Sequence, residues 1–146
     1  MELDENIVIR EIETDDFENY INLMYNFTNY RYDISNEQFK TNLNFMRTNN
    51  LCSIIVIEKS KNIIGAGTIF NLIKLHNNSV GQIEDVIINS AFRGLGYGKL
   101  IINKLVEIGK TKYNCYKVTL NCLDKNIFFY KKCHFEIVGV EMKYLN

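Results

Sequence analysis

Two periods of apolar residues alternate along this chain, and the changes between them mark its elements. Ile7-Val8-Ile9-Arg10-Glu11-Ile12 alternates as a first strand. Thr14-Asp15-Asp16 then offers helix N-caps, with Glu18 three residues after Asp15, and Phe17, Tyr20, Ile21, Met24 and Phe27 follow at helical spacing. Ser35-Asn36-Glu37-Gln38 reads as a second capping box, opening a helix to about Met46 with Phe39, Leu43 and Met46 on one face. Extended segments follow at 52–58 and 63–75, joined by the turn Lys59-Ser60-Lys61-Asn62. Gly65 and Gly67 in the second of them signal a bulge or a close neighbour. After a turn at 76–79 comes a strand at 80–88, then a helix at 98–111 with Ile101, Leu105 and Ile108 on one face and Ile102 and Val106 beside them. A strand at 116–121, a short helix at 126–132 and a final strand at 136–144 complete the series. The order β-α-α-β-β-β-α-β-α-β predicts an α/β (α+β) fold, a mixed sheet with helices on its faces, in one domain over 1–146.

The run Arg93-Gly94-Leu95-Gly96-Tyr97-Gly98 lies between an apolar strand and an amphipathic helix. Glycines on alternate positions leave the backbone bare, so its N–H groups can turn toward an anion at the N-terminus of the following helix. Arg93 adds a charge that no nearby acid cancels, and a pyrophosphate suits such a cradle. Taken alone, a glycine-rich loop is as often a plain turn; its place after a strand and before a helix is what gives it weight. Two common nucleotide folds do not fit. A dinucleotide-binding fold begins with the strand–loop–helix unit and ends its next strand in an acid, where this chain has Asn121. A Walker loop needs Ser or Thr after its lysine, and Gly98-Lys99-Leu100 has neither.

Composition narrows the function classes. At 146 residues the chain can bury roughly 70% of its unfolded surface. Its 17 Lys and Arg balance 17 Asp and Glu, which argues against a general affinity for nucleic acid or an anionic membrane. No apolar run approaches a membrane span, and the acidic start from Met1 to Glu5 is unlike a signal peptide. Cys52, Cys115, Cys122 and Cys133 show neither metal-ligand spacing nor a disulfide framework, so free thiols in a cytoplasmic setting are expected. His76 and His134 are too isolated for a metal site, and none is expected. Asn-rich stretches and the absence of proline read as compositional bias, with Asn77-Asn78 as loop filler.

The loop resembles the acetyl-CoA pyrophosphate loop of the GNAT N-acetyltransferase superfamily, written Gln/Arg-x-x-Gly-x-Gly/Ala. Within it, four blocks resemble the glucosamine 6-phosphate N-acetyltransferases: Gln82-Ile83-Glu84-Asp85-Val86-Ile87-Ile88, Cys115-Tyr116-Lys117-Val118-Thr119-Leu120, Asn126-Ile127-Phe128-Phe129-Tyr130-Lys131-Lys132-Cys133 and Gly139-Val140-Glu141-Met142. The resemblance is looser over residues 1–75. It implies acetyl-CoA as co-substrate. The backbone of Val86, Ile87 and Ile88 would hold the pantetheine arm, and the N–H groups of Arg93, Gly94, Leu95, Gly96, Tyr97 and Gly98 the pyrophosphate. Lys99, Asn126, Phe129 and Lys132 would line the cofactor. Glu84 and the backbone carbonyl of Asp85 would hold the acceptor amine and draw its proton, directly or through water, and Tyr130 would protonate the departing thiolate. Taken without the resemblance, Glu84-Asp85 reads as a solvated strand end and Tyr130 as core filling.

For an amino sugar phosphate as acceptor, the resemblance points to Thr28, Lys74, His76, Lys117 and Asn121 beside Glu84 and Asp85, in a site formed across a homodimer interface. Two departures stand out. Asn121 replaces the family's acid, and an amide cannot share a proton with the amine or attract its charge. His134 replaces a glycine, so mild backbone strain is expected there. Alternatives are a GNAT protein for another small amine or a peptide N-terminus, and a non-catalytic acyl-CoA sensor. Cys115, Cys122 and Cys133 are expected to be structural.

Overall fold

The alternating runs become five strands of one sheet, ordered β1-β2-β3-β4-β5. They are β1 (Ile7–Glu11), β2 (Cys52–Lys59), β3 (Asn62–Leu72), β4 (Val80–Ile88) and β5 (Lys117–Leu120). The helices are α1 (Phe17–Thr28), α2 (Asn36–Thr48), α3 (Tyr97–Thr111) and α4 (Ile127–Lys132). This computed structural model describes residues 6–146, so the acidic start from Met1 to Glu5 lies outside the described residues. The first four strands pair antiparallel, and β5 runs parallel to β4. That parallel pair needs a crossover, which α3 supplies.

Each face of the sheet carries its own apolar layer. Ile101, Ile102 and Leu105 of α3, all 0% exposed, pack with Ile55, Ile57, Ile64, Ile69 and Ile83 on one face. On the other, Leu23 of α1 and Phe39 and Leu43 of α2 cover Val56, Ile63, Ala66 and Ile87. The two glycines of β3 let α3 approach closely. A Cβ on Gly67 would stand 2.6 Å from Ile101 Cγ2, and one on Gly65 3.2 Å from Ile101 Cδ1.

Ser35 caps α2 as expected, its Oγ accepting the Gln38 N–H at 3.0 Å. The start of α1 differs from expectation. A 3-10 turn, Thr14–Asp16, precedes it, and the N-terminal carboxylate is Asp16 rather than Asp15. Asp16 accepts the Glu13 N–H at 2.7 Å and two guanidinium bonds from Arg10 at 2.7 and 2.9 Å. Arg10 also donates from Nε to Glu58 at 2.9 Å. The cation on β1 thus selects which carboxylate turns inward.

The expected strand at 136–144 does not form. Its alternation is real, but Val138, Val140, Met142 and Tyr144 stand 88 to 92% exposed. A strand needs a ladder partner, and this segment has none among the described residues. β5 ends the sheet, so its outer edge is unpaired among the described residues.

Candidate active site

A single extra residue in β4 organises the site. Thr68 pairs with Glu84 and Ala66 with Ile87, so three steps on β4 oppose two on β3. Asp85 absorbs the extra step at φ 53, a left-handed conformation that Asp adopts more readily than most residues. The bulge turns the strand over. Ile83 faces the α3 layer, whereas Ile87, at the same parity, faces α1 and α2. Glu84 and Asp85 stay exposed at the crossover.

The β4–β5 ladder stops at the pair Ile83–Leu120, although β4 continues to Ile88. Beyond that pair the β5-facing edge of β4 carries the backbone groups of Val86 and Ile88 outside the ladder, whereas Ile87, at the same parity as Asn89 whose N–H bonds the Ile64 carbonyl, turns its own toward β3. An amide-bearing chain can lie along such an edge as another strand would. The strand then meets Asn89, whose Oδ1 accepts the Ala91 N–H at 3.0 Å, and the glycine loop. Gly94 (φ 77) and Gly96 (φ 87) turn the loop into α3, with Gly96 as its N-cap. A Cβ on Gly94 would meet nothing within 4 Å, so the cradle is open. Arg93 is folded back, its Nε donating to the Ile88 carbonyl at 3.0 Å, which pins the loop to the strand end. The Tyr97 side chain is buried against Phe92, at 6.5 Å between ring centroids, so only its N–H serves the loop. Lys99 and Leu95 are exposed beside it. A bare loop at a helix N-terminus, next to a free strand edge, fits a pyrophosphate and its amide arm.

Short α4 closes the far side. Phe129 packs on Gly98, its ring 3.1 Å from where a Cβ would sit. Tyr130 meets Phe129 edge-on at 5.0 Å and Phe135 at 6.2 Å. Burial, with the nearby Cys122 and Cys133 thiols, pushes its phenol up, so it keeps its proton at neutral pH. It shares the α3-side apolar layer with Val86 and Ile88. Asn126 lies exposed before α4, and the Lys132 ammonium rests over the Phe128 ring at 4.5 Å. Burial likewise holds the Asp85 carboxyl above the ordinary carboxylate range. A carboxyl whose hold on a proton is raised and a phenol that retains its own thus flank the strand edge.

The acceptor residues divide. Asn121 follows Leu120 as Glu84 follows Ile83, so both stand where the two strands part. Lys117 pairs with Val80 at the opposite end of β4, about 13 Å along the strand from Glu84. Its ammonium sits over the Tyr116 ring, and Lys74 and His76 lie exposed in the connection at that same end. A single chain therefore does not bring these three side chains to Glu84 and Asp85. Thr28 ends α1, and its hydroxyl is committed. It donates to the Met24 carbonyl at 3.0 Å and accepts from the Tyr30 N–H and the Tyr32 hydroxyl at 3.2 and 3.1 Å. That uses its one donor and both acceptor sites. Cys133 is buried and Cys115 half-buried, but Cys122 is exposed, so a packing role does not hold for it. The expected strain at His134 is present, at φ 67. Sequence reading missed the bulge at Asp85, because no glycine marks it.

Comparisons with known proteins agree with this geometry. Residues 8–135 match the model of the acetyltransferase (GNAT) family. Glucosamine 6-phosphate N-acetyltransferase 1 of Dictyostelium discoideum is 32% identical, covering 96% of this chain and 91% of that protein. The crystal structure of glucosamine-6-phosphate N-acetyltransferase from Arabidopsis thaliana superposes with a TM-score of 0.86 at 30% identity, over 97% of this chain and all of that one (100%). An aminoglycoside N-acetyltransferase solved with CoA shares the fold, with a TM-score of 0.77 at 14% identity over 100% of this chain and 98% of that one.

Proposed function

The chain belongs to the acetyltransferase (GNAT) family, and we propose that it transfers the acetyl group of acetyl-CoA to the amine of glucosamine 6-phosphate. The product would be N-acetylglucosamine 6-phosphate, a precursor for UDP-N-acetylglucosamine. The observation that carries the chemistry is the bulge at Asp85. It sets two carboxylates at the head of a strand edge whose far end opens into an anion cradle. The choice of acceptor rests on the relatives that carry that activity in their names, at 30 to 32% identity over almost the whole chain.

Acetyl-CoA supplies the activated acetyl group; the chain's own residues do the rest. The loop from Arg93 to Gly98 takes the pyrophosphate through its N–H groups, and the strand from Val86 to Ile88 aligns the arm along its β5-facing edge. Glu84 and the raised-pKa Asp85 hold the acceptor ammonium and accept its proton. As the new C–N bond forms and the C–S bond breaks, Tyr130 passes its proton to the leaving sulfur. No covalent acetyl-enzyme is required. Asn126, Phe129 and Lys132 border the cofactor.

The active form in this reading is a homodimer in the cytosol, a setting in keeping with four free thiols. The exposed apolar face of residues 138–144 and the unpaired edge of β5 are complementary elements in a second copy. Lys74, His76 and Lys117, too far from Glu84 in one chain, would serve the sugar phosphate across that contact. Asn121, in place of an acid, favours a second reading, a GNAT protein for a different small amine. Glu84, Asp85 and Tyr130 together speak against a non-catalytic sensor.

The test is release of CoA thiol from acetyl-CoA with glucosamine 6-phosphate and with glucosamine as acceptors. Release with the phosphorylated sugar alone supports the assignment. Silence with both, in protein that binds acetyl-CoA, removes the acceptor and leaves the family intact.

A further inference from the structure

The β4–β5 ladder carries a polar pair on the face turned away from α3. Ile83, Val118 and Leu120 pack into the α3 layer, so the residues that alternate with them, Gln82 and Glu84 on β4 and Thr119 on β5, point to the other face. Gln82 and Thr119 are register partners, and the Thr119 hydroxyl donates to Gln82 Oε1 at 2.6 Å. With its carbonyl oxygen tied to β5, the half-buried Gln82 amide has a set orientation, its NH2 group turned away from Thr119. Glu84 is the next residue of β4 on this face, about 6.6 Å along the strand. On the other side of Gln82 stands its β3 partner Phe70, half-buried, with the two Cβ atoms about 5 Å apart. α1 and α2 cover this face at Ala66 and Ile87, beyond the bulge, and these residues lie before it. A carboxylate, an oriented amide and an aromatic ring thus share one stretch of sheet, at a spacing close to the width of a sugar ring. A ring can lay its C–H groups on Phe70 and turn its oxygens to the amide.

We propose that Gln82 is a specificity-determining residue for the acceptor. Its amide donates to the hydroxyl that lies across the sugar ring from the amine held at Glu84, and Thr119 is the positioning residue that aims it. The inference rests on the acetyl-transfer reading above and deepens it, laying the acceptor along β4 with its amine at the bulge. In glucosamine 6-phosphate the group so placed is the 4-hydroxyl. A contact of this kind rejects an acceptor that lacks the hydroxyl, because the amide is then left unpaired.

The experiment compares wild type with Gln82→Met, which keeps the length of the side chain and removes the amide, and with Thr119→Val and Thr119→Ser. Acceptors are glucosamine 6-phosphate and its 4-deoxy analogue. Wild type should favour the parent sugar by about tenfold in kcat/KM. Gln82→Met should lose about tenfold on the parent and nearly nothing on the analogue, with the KM for acetyl-CoA unchanged. Thr119→Val should narrow the same ratio by several-fold, and Thr119→Ser, which restores the hydroxyl, should recover it. A merely structural role for the pair would lower both acceptors alike and shift the melting temperature. If wild type acetylates the parent sugar but does not prefer it to the analogue, or if Gln82→Met leaves that preference intact, the Gln82 assignment alone is overturned. If wild type acetylates neither sugar, the acetyl-transfer reading falls and takes this assignment with it.

Discussion

Replacing Asp85 by Asn should separate the stability of this fold from its chemistry. The residue sits at φ 53, a conformation that Asn adopts about as readily as Asp, so the backbone of the bulge has no reason to change. What changes is the charge. Burial raises the carboxyl's pKa, which means that the fold disfavours the ionised form. The folded pKa lies above the unfolded one, so wild type has its full stability below about pH 4 and loses part of it as pH rises through the folded value. Asn carries no charge at any pH and escapes that loss. Because Asp85 is partly exposed, solvent screening keeps the gain to about 0.5–1 kcal/mol at pH 7. For a chain of this length that is about 2–3 °C in melting temperature. Activity should fall about 100-fold or more, as expected when a positioned base is removed. Thermal melts of both proteins between pH 4 and 8, beside thiol-release rates, make the assay. The melting curves should coincide at the acid end and separate upward. A variant that melts several degrees lower at pH 7 would refute the reasoning, since the carboxylate would then be holding the bulge together.

Three further outcomes follow from the same geometry. Tyr130→Phe should lower kcat by about 10–100-fold while leaving the KM for acetyl-CoA unchanged, because the phenol supplies a proton and the ring supplies the packing; steady-state kinetics checks this. Two glycine substitutions should fail in opposite ways. Gly94→Ala meets no neighbour, costs about 1 kcal/mol for its φ of 77 and raises the KM for acetyl-CoA, whereas Gly67→Ala drives a methyl to 2.6 Å from fully buried Ile101 and lowers the melting temperature by about 6–9 °C. Asp16→Ala should cost about 1–3 kcal/mol at pH 7 by removing one of the two carboxylates that Arg10 binds, Glu58 remaining. The Arg10 hydrogen bonds hold the Asp16 carboxyl below its ordinary value, so that difference is present above about pH 4 and shrinks as pH falls through the folded pKa, which denaturant titrations at pH 7 and pH 3 would register.

The residues that announce themselves in the sequence do so through local rules. Ser35 caps α2 because its spacing to Gln38 is a backbone matter, and the stripe of Ile101, Leu105 and Ile108 buries because one face of a helix must. Gly65 and Gly67 mark a close approach, and α3 fills it. The glycine loop forms where its three bare positions stand. The features that stayed hidden depend on partners distant in sequence. Asp16 replaces Asp15 at the first cap because Arg10 reaches across from β1. The alternation at 136–144 is a faithful strand signal, but no rule of periodicity says which edge will receive it. Asp85 occupies its bulge without a glycine to give it away, so β4 reads as one uninterrupted strand.

The turnover of β4 at Asp85 ties the reaction centre to both halves of the interior. Upstream the strand is anchored by Ile83 in the α3 layer, and downstream by Ile87 under α1 and α2. The strained residue sits between two anchors that grip opposite faces, like a pin clamped at each end. A change in either layer that lets one anchor rotate would relax the left-handed turn and return the strand to plain alternation, withdrawing both carboxylates from their positions. Core substitutions far from the acceptor should therefore register as losses of rate before they register as losses of fold.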